Sequence, residues 1–292
     1  MISLILGVLG LMVSWMGFIF FKDVATNKEV LEEGTNMPLV GAAGFTANFF
    51  DTLGIGSFAP LTAFFKAFKQ VEDRKIPGTL NVSCTIPIAV QAFAFMTVID
   101  VEIITLVSML VAATVGAFFG AGIVSRLPER KIQLGMAIAL LATAFLMFSG
   151  VVGWMPGGGD AIGLTGVSLA IAIIGNFILG ALMTLGIGLY APCMALVYFL
   201  GLSPAVAFPI MMGSCAFLMP VASVKFIKEE SYNRKASIII ALCGIVGVLI
   251  AAYIVKSLPI DILRWLVIVV ITYTSFTMFK SSMNGKAQLA DY

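Results

Sequence analysis

Thr52-Leu53-Gly54-Ile55-Gly56-Ser57-Phe58-Ala59-Pro60 and Thr184-Leu185-Gly186-Ile187-Gly188-Leu189-Tyr190-Ala191-Pro192 are one nine-residue phrase written twice, 132 positions apart, with seven of nine residues identical. Each copy interrupts an apolar segment, Leu39–Phe68 and Ala161–Leu200, that is too long for one membrane crossing and is broken first by glycines and then by a proline. The repetition extends outward. Phe45 pairs with Phe177 and Pro77 with Pro209 at the same offset, while Ser83-Cys84 and Leu127-Pro128 recur as Ser214-Cys215 and Leu258-Pro259 one residue closer. Landmarks matching in one order make the chain two homologous halves. The Gly-rich stretch Pro156-Gly157-Gly158-Gly159-Asp160 is the natural linker between them.

Composition fixes the medium. Of 292 residues, 60% are hydrophobic and 11% charged, against roughly 25% charged in an ordinary soluble domain, and the mean hydropathy is +1.08. Seven ordinary spans are expected: Ile2–Phe21, Thr79–Ile99, Ile103–Val124, Ile132–Val152, Ser203–Val224, Ala236–Val255 and Ile262–Phe279. The first has no basic residue ahead of it, unlike a cleaved leader, and reads as a retained helix. The net charge of +2 is small and dispersed, which argues against nucleic acid as a partner. With no His in the chain, Ser/His/Asp and Cys/His catalysis are excluded. Cys84, Cys193, Cys215 and Cys243 lie in apolar runs without CxxC spacing and read as small buried hydrophobes, so no metal and no cofactor is expected. No Walker-type phosphate loop supports ATP-driven pumping.

Basic residues collect on the cytoplasmic side of membrane proteins, which lets topologies be scored. If both long segments cross once, 9 of 17 basic residues fall inside and 8 outside, no bias at all. If each is a hairpin that enters and leaves on one side, with the N-terminus outside and the C-terminus cytoplasmic, only Lys256 and Arg264 fall outside and the other 15 are inside. A mixed arrangement, first segment crossing and second re-entrant, scores 13 to 4 and gives homologous segments different topologies. The expected fold is therefore an all-α polytopic membrane protein with two inverted-topology repeats, each one re-entrant broken hairpin plus three transmembrane helices, behind an extra N-terminal helix. Its parts are residues 1–38 (helix and cytoplasmic loop), 39–152 (first repeat), 153–163 (linker), 164–280 (second repeat) and 281–292 (cytoplasmic tail).

Inverted repeats with paired Gly/Pro-interrupted helices point to a transport site near the midplane. The returning half-helices begin near Ser57 and Leu189, and each start carries about half a positive charge and unpaired N–H groups, suited to an anion. Gly54, Gly56, Gly186 and Gly188 let backbone approach a ligand, and Asn48, Thr52, Ser57, Ser83, Thr184, Tyr190 and Ser214 supply polar side chains around it. Asp51 is the clearest acid at membrane depth, and its counterpart in the second half is Met183. Intramembrane acids are costly enough to be functional by default, so Asp51 is assigned to proton coupling, with a local cap of the returning arm as the alternative.

GIGSFAP, GIGLYAP and a later helix ending in Leu-Pro (Leu127-Pro128, Leu258-Pro259) resemble the TauE/SafE sulfite exporter family, also called TSUP, over nearly the whole chain after the first helix. The resemblance implies a carrier of the bacterial inner membrane exporting sulfite or an organosulfonate, with a small anion as its partner besides the bilayer; the reading of Asp51 adds a coupling proton as a candidate partner. The usual family pattern is richer in glycine after the break, and here Asn48 and Asp51 precede it. An anion channel, or an importer of another small organic anion, is the alternative. An apolar surface is also compatible with an oligomer.

Overall fold

The computed structural model describes residues 2–27, 31–96, 100–155, 158–253 and 260–290. Ile99, Pro156, Gly157, Val255, Lys256, Leu258 and Pro259, named above, and Lys28, one of the basic residues counted inside, lie outside the described residues. The elements are α1 (Ile2–Thr26), α2 (Met37–Thr52), α3 (Phe58–Phe68), a single 3-10 turn at Asp73–Lys75, α4 (Ile76–Phe95), α5 (Ile103–Val124), α6 (Glu129–Val151), α7 (Gly166–Met183), α8 (Tyr190–Phe199), α9 (Pro204–Lys228), α10 (Arg234–Tyr253) and α11 (Ile260–Ala290). Seven of these helices are long and apolar enough to cross a membrane: α1, α4 with the turn before it, α5, α6, α7, α9 and α10.

The two long segments are broken as their glycines and prolines require. Gly54 and Gly186 take φ of +89° and +92°, a left-handed backbone that side-chain-bearing residues avoid. Pro60 and Pro192 then sit at the third residue of α3 and of α8, inside the first turn, where an N–H has no helical partner to lose. Each segment closes on itself. At the foot of the first hairpin Asn36 N–H donates to Gln70 Oε1 at 2.7 Å and Thr35 Oγ1 to the Gln70 carbonyl at 3.3 Å. At the foot of the second, Ser203 N–H donates to the Ala161 carbonyl at 2.9 Å and Gly159 N–H to that of Leu202 at 3.0 Å. α7 is thus long enough to span by itself, yet α8 brings the chain back to where α7 started.

The hairpins open at opposite ends of the bundle. The first foot lies with the basic loops: Arg234 pairs with Asp23 at 2.7 Å, Glu32 accepts the Arg234 and Lys235 N–H groups at the start of α10, and Asn233 Nδ2 donates to Thr35. Tyr232 O–H donates to Asp23 in the same knot, and burial together with that carboxylate pushes its phenol up. Lys66–Asp73 and Arg126–Glu229 pairs occupy this end too. The second foot meets the opposite end, where Glu102 N–H donates to the Ile162 carbonyl and Leu164 N–H to Thr105 Oγ1.

Packing pairs the halves by exchange. α2 lies along α10 and α7 along α5, α4 faces α9, and α6 faces α11. Small residues permit the close crossings. A Cβ on Gly116 would meet the Phe177 carbonyl oxygen at 2.0 Å, and one on the matching Gly247 would meet that of Phe45 at 2.4 Å. Helices in lipid associate through such close backbone contact, since burial of apolar surface gives no advantage there. α4 and α9 form the centre, with 83% and 78% of their most apolar stretch buried against 22% for α1 and for α7. Thr85 and Ser223 hydroxyls bridge them at 3.0 Å.

Candidate functional site

The tips of the hairpins meet beside α4, at the centre of the bundle. Asp51, in the last turn of α2, is 1% exposed and turns its carboxylate back across the break. Its Oδ1 accepts the N–H of Ser57, the residue that opens α3, at 2.5 Å. Its Oδ2 accepts from Gln91 Nε2 of α4 at 2.6 Å and from the hydroxyl of Tyr190, the first residue of α8, at 3.2 Å. Tyr190 O–H also lies 2.9 Å from Gln91 Oε1. The one phenol proton serves either of these two acceptors, and in both cases the Gln91 NH2 faces Asp51. Two side chains and one backbone N–H, from both halves, thus gather around one negative group.

Among the described residues, no Lys or Arg forms an ion pair with this carboxylate. Its compensation is neutral donors and the start of α3, a helix terminus that favours negative charge. The Ser57 hydroxyl faces the same carboxylate but makes no bond of normal geometry, and Asn48 Oδ1 is likewise buried without a hydrogen-bond partner among the described residues. The Cys84 thiol lies beside both Ser57 and Asn48, and a thiol is a weak donor. Orphaned polar atoms at such depth are exceptional and call for a physical reason.

The remaining sequence-derived candidates divide in two. Gly54, Gly56 and Gly186 have positive φ and form the breaks. Gly188 does not, although a Cβ there, as at Gly56, would meet nothing within 4 Å. The hydroxyls of Thr52, Thr184 and Ser83 bond back to the carbonyls of Asn48, Ala181 and Leu80, and Asn48 Nδ2 to that of Gly44. These bonds occupy local helix carbonyls rather than the central cluster. Ser214 accepts from Asn176 Nδ2 at 2.8 Å, which ties α9 to α7.

Residues 1–147 and 167–290 match the family model described as sulfite exporter TauE/SafE. The chain belongs to the TauE/SafE family. Membership in this transporter family, together with the seven apolar helices, makes it a multi-pass membrane transporter. The matched segments leave out 148–166, the connection between the two hairpin-bearing halves. Comparison with curated proteins and with solved structures gives no match.

Gln91 is the central residue that sequence reasoning missed. It lies outside the nine-residue phrase, and the aligned position of the second half is Ala222. The available signal was a lone amide in the otherwise apolar run Ile86–Phe95, and a buried amide needs partners. Asn176, also fully buried within an apolar helix, carried the same kind of signal.

Proposed function

We propose that the chain is a secondary carrier of a small sulfur-containing anion, sulfite or an organosulfonate, bound between the two hairpin tips. One observation carries this reading: the Ser57 N–H that opens α3 and the hydroxyl of Tyr190, the first residue of α8, one from each half, both reach a single carboxylate. Groups that gather on one anion from two independent helix breaks are suited to hold another. The hairpin feet at opposite ends and the exchanged helix pairings support an inverted-repeat arrangement, in which rocking of one half against the other exposes a central site alternately to each side. Asp51 is the coupling group. Once protonated it no longer repels an arriving anion, so proton and anion share the site as a neutral pair. The protein sits in the plasma membrane of a bacterium with the N-terminus outside and the basic loops and C-terminus cytoplasmic, and it works in the direction of export, the proton–anion pair leaving down the gradient of the anion.

The test is counterflow in proteoliposomes. Vesicles preloaded with sulfite or methanesulfonate should accumulate labelled anion transiently, with saturation, and faster under an imposed proton gradient. A linear, non-saturating flux without counterflow would identify a channel and overturn the carrier reading.

A further inference from the structure

On the anion-carrier reading above, we propose that the Asp51 carboxylate is a tethered stand-in for the transported oxyanion, holding the donors that the substrate takes over when Asp51 releases them. Gln91 and Tyr190 then contact substrate and set selectivity. The geometry supports exchange over simple co-occupancy. Ser57 N–H serves one carboxylate oxygen, and Gln91 Nε2 and Tyr190 O–H serve the other, so both oxygens of Asp51 are taken up by the donors that face it. An anion arriving beside the ionised carboxylate would find these donors engaged and a like charge in place. Protonation reverses each element. The carboxyl ceases to compete, frees the Ser57 and Gln91 N–H groups, and gains an O–H of its own to donate.

The donors lie on two oxygens, so the fitting ligand is a small monoanion with two or more oxygens on one centre; a halide offers a single point. A sulfonate adds a third oxygen, for which the buried and unpartnered Ser57 hydroxyl is the available donor. Titration can be assigned to Asp51. The titratable groups near it are Tyr190 of α8, Cys84 of α4 and Cys215 of α9, with Cys193 of α8 beside Cys215, phenol and thiols with ordinary values above neutrality, and the chain contains no His.

The test uses the purified full-length protein in detergent and titrates methanesulfonate, whose charge is constant over the range, at about pH 5 and about pH 7.5 by calorimetry. Wild type should bind about tenfold more tightly at the lower pH, and Asp51→Asn should bind at both pH values as wild type does at the lower one. In the Asp51→Asn background, Gln91→Leu should weaken binding about tenfold and Tyr190→Phe by less, with melting temperature kept. Ser57→Ala should reduce methanesulfonate affinity to that of acetate, and chloride should not compete. Asp51→Ser provides the same readout if the Asn variant does not fold. Methanesulfonate binding that keeps its pH dependence in Asp51→Asn, or is indifferent to Gln91→Leu, overturns the exchange while leaving the carrier intact. Failure of folded wild type and Asp51→Asn to bind any oxyanion overturns the carrier reading along with it.

Discussion

The two hairpin tips share a backbone and differ in chemistry. Gly54 and Gly186 turn the chain with nearly the same φ, and Pro60 and Pro192 start the returning arms in the same register. Yet the positions that build the polar cluster in the first half, Asp51, Ser57 and Gln91, align with Met183, Leu189 and Ala222 in the second, and Tyr190 aligns with Phe58. At the second tip the nearest equivalent of the Asp51 cluster is a Cys215 to Met183 sulfur contact at 3.7 Å. The same frame therefore occurs twice, while the polar groups are loaded onto one tip and completed by a single hydroxyl from the other. A frame can be symmetric because steric rules of helix breaking act on each copy alone. A buried carboxylate need not be, because placing two in one low-dielectric cluster would set like charges against each other.

The comparison breaks most readily at its polar side. Asp51→Leu should lower proton-driven transport by about 100-fold, since the Ser57 N–H and the Gln91 amide are left buried and unpaired. Met183→Leu should leave transport within about twofold, because an apolar swap of similar volume is well tolerated. Initial rates in proteoliposomes decide between them, and equal losses would show that the second tip carries function as well.

The frame predicts equality instead. Gly116→Ala and Gly247→Ala each drive a methyl into backbone, at 2.0 and 2.4 Å from a carbonyl oxygen. Each should destabilise the protein by about 2–3 kcal/mol, the larger loss at Gly116, read as a fall in thermal unfolding temperature in detergent. Loss at one site alone would show that the two crossings are not equivalent.

Within the tips a smaller asymmetry is expected. Gly56 has φ of +91° and Gly188 has no positive φ, though both have open space around a Cβ. Gly56→Ala should cost about 1 kcal/mol in unfolding and Gly188→Ala close to nothing. Equal effects would mean that the second break also needs a left-handed residue at this position.

The smallest effect concerns matching caps. Glu102 opens α5 by accepting Thr105 N–H at 2.8 Å, and Asn233, 131 residues on, opens α10 by accepting Ala236 N–H at 2.8 Å. The Thr105 hydroxyl and N–H hold the Glu102 carboxyl below its usual range. A lowered value means that its stabilisation is present above the unfolded value of about 4.3 and fades as pH falls through the folded one. Glu102→Gln should abolish a slight acid sensitivity of melting between about pH 5 and about pH 3. Asn233, which does not titrate, should contribute none. An unchanged acid profile in Glu102→Gln would remove this cap from the pH response.

Sequence alone fixed the frame of this protein. Glycine and proline in a repeated phrase force breaks through local sterics, apolar length sets the helices, and charge asymmetry around short loops argues for the hairpins, since each of these acts within a few neighbouring residues. It also singled out Asp51, because an ionisable group in an apolar run is conspicuous wherever the run packs. Tertiary structure alone decided who meets it. Gln91, 40 residues away in sequence, and Tyr190, 139 away, reach the Asp51 carboxylate only through the packing of α2, α4 and α8. The same packing left Thr52, Thr184 and Ser83 on their own helix carbonyls, a choice that composition cannot reveal because a hydroxyl serves either partner equally well.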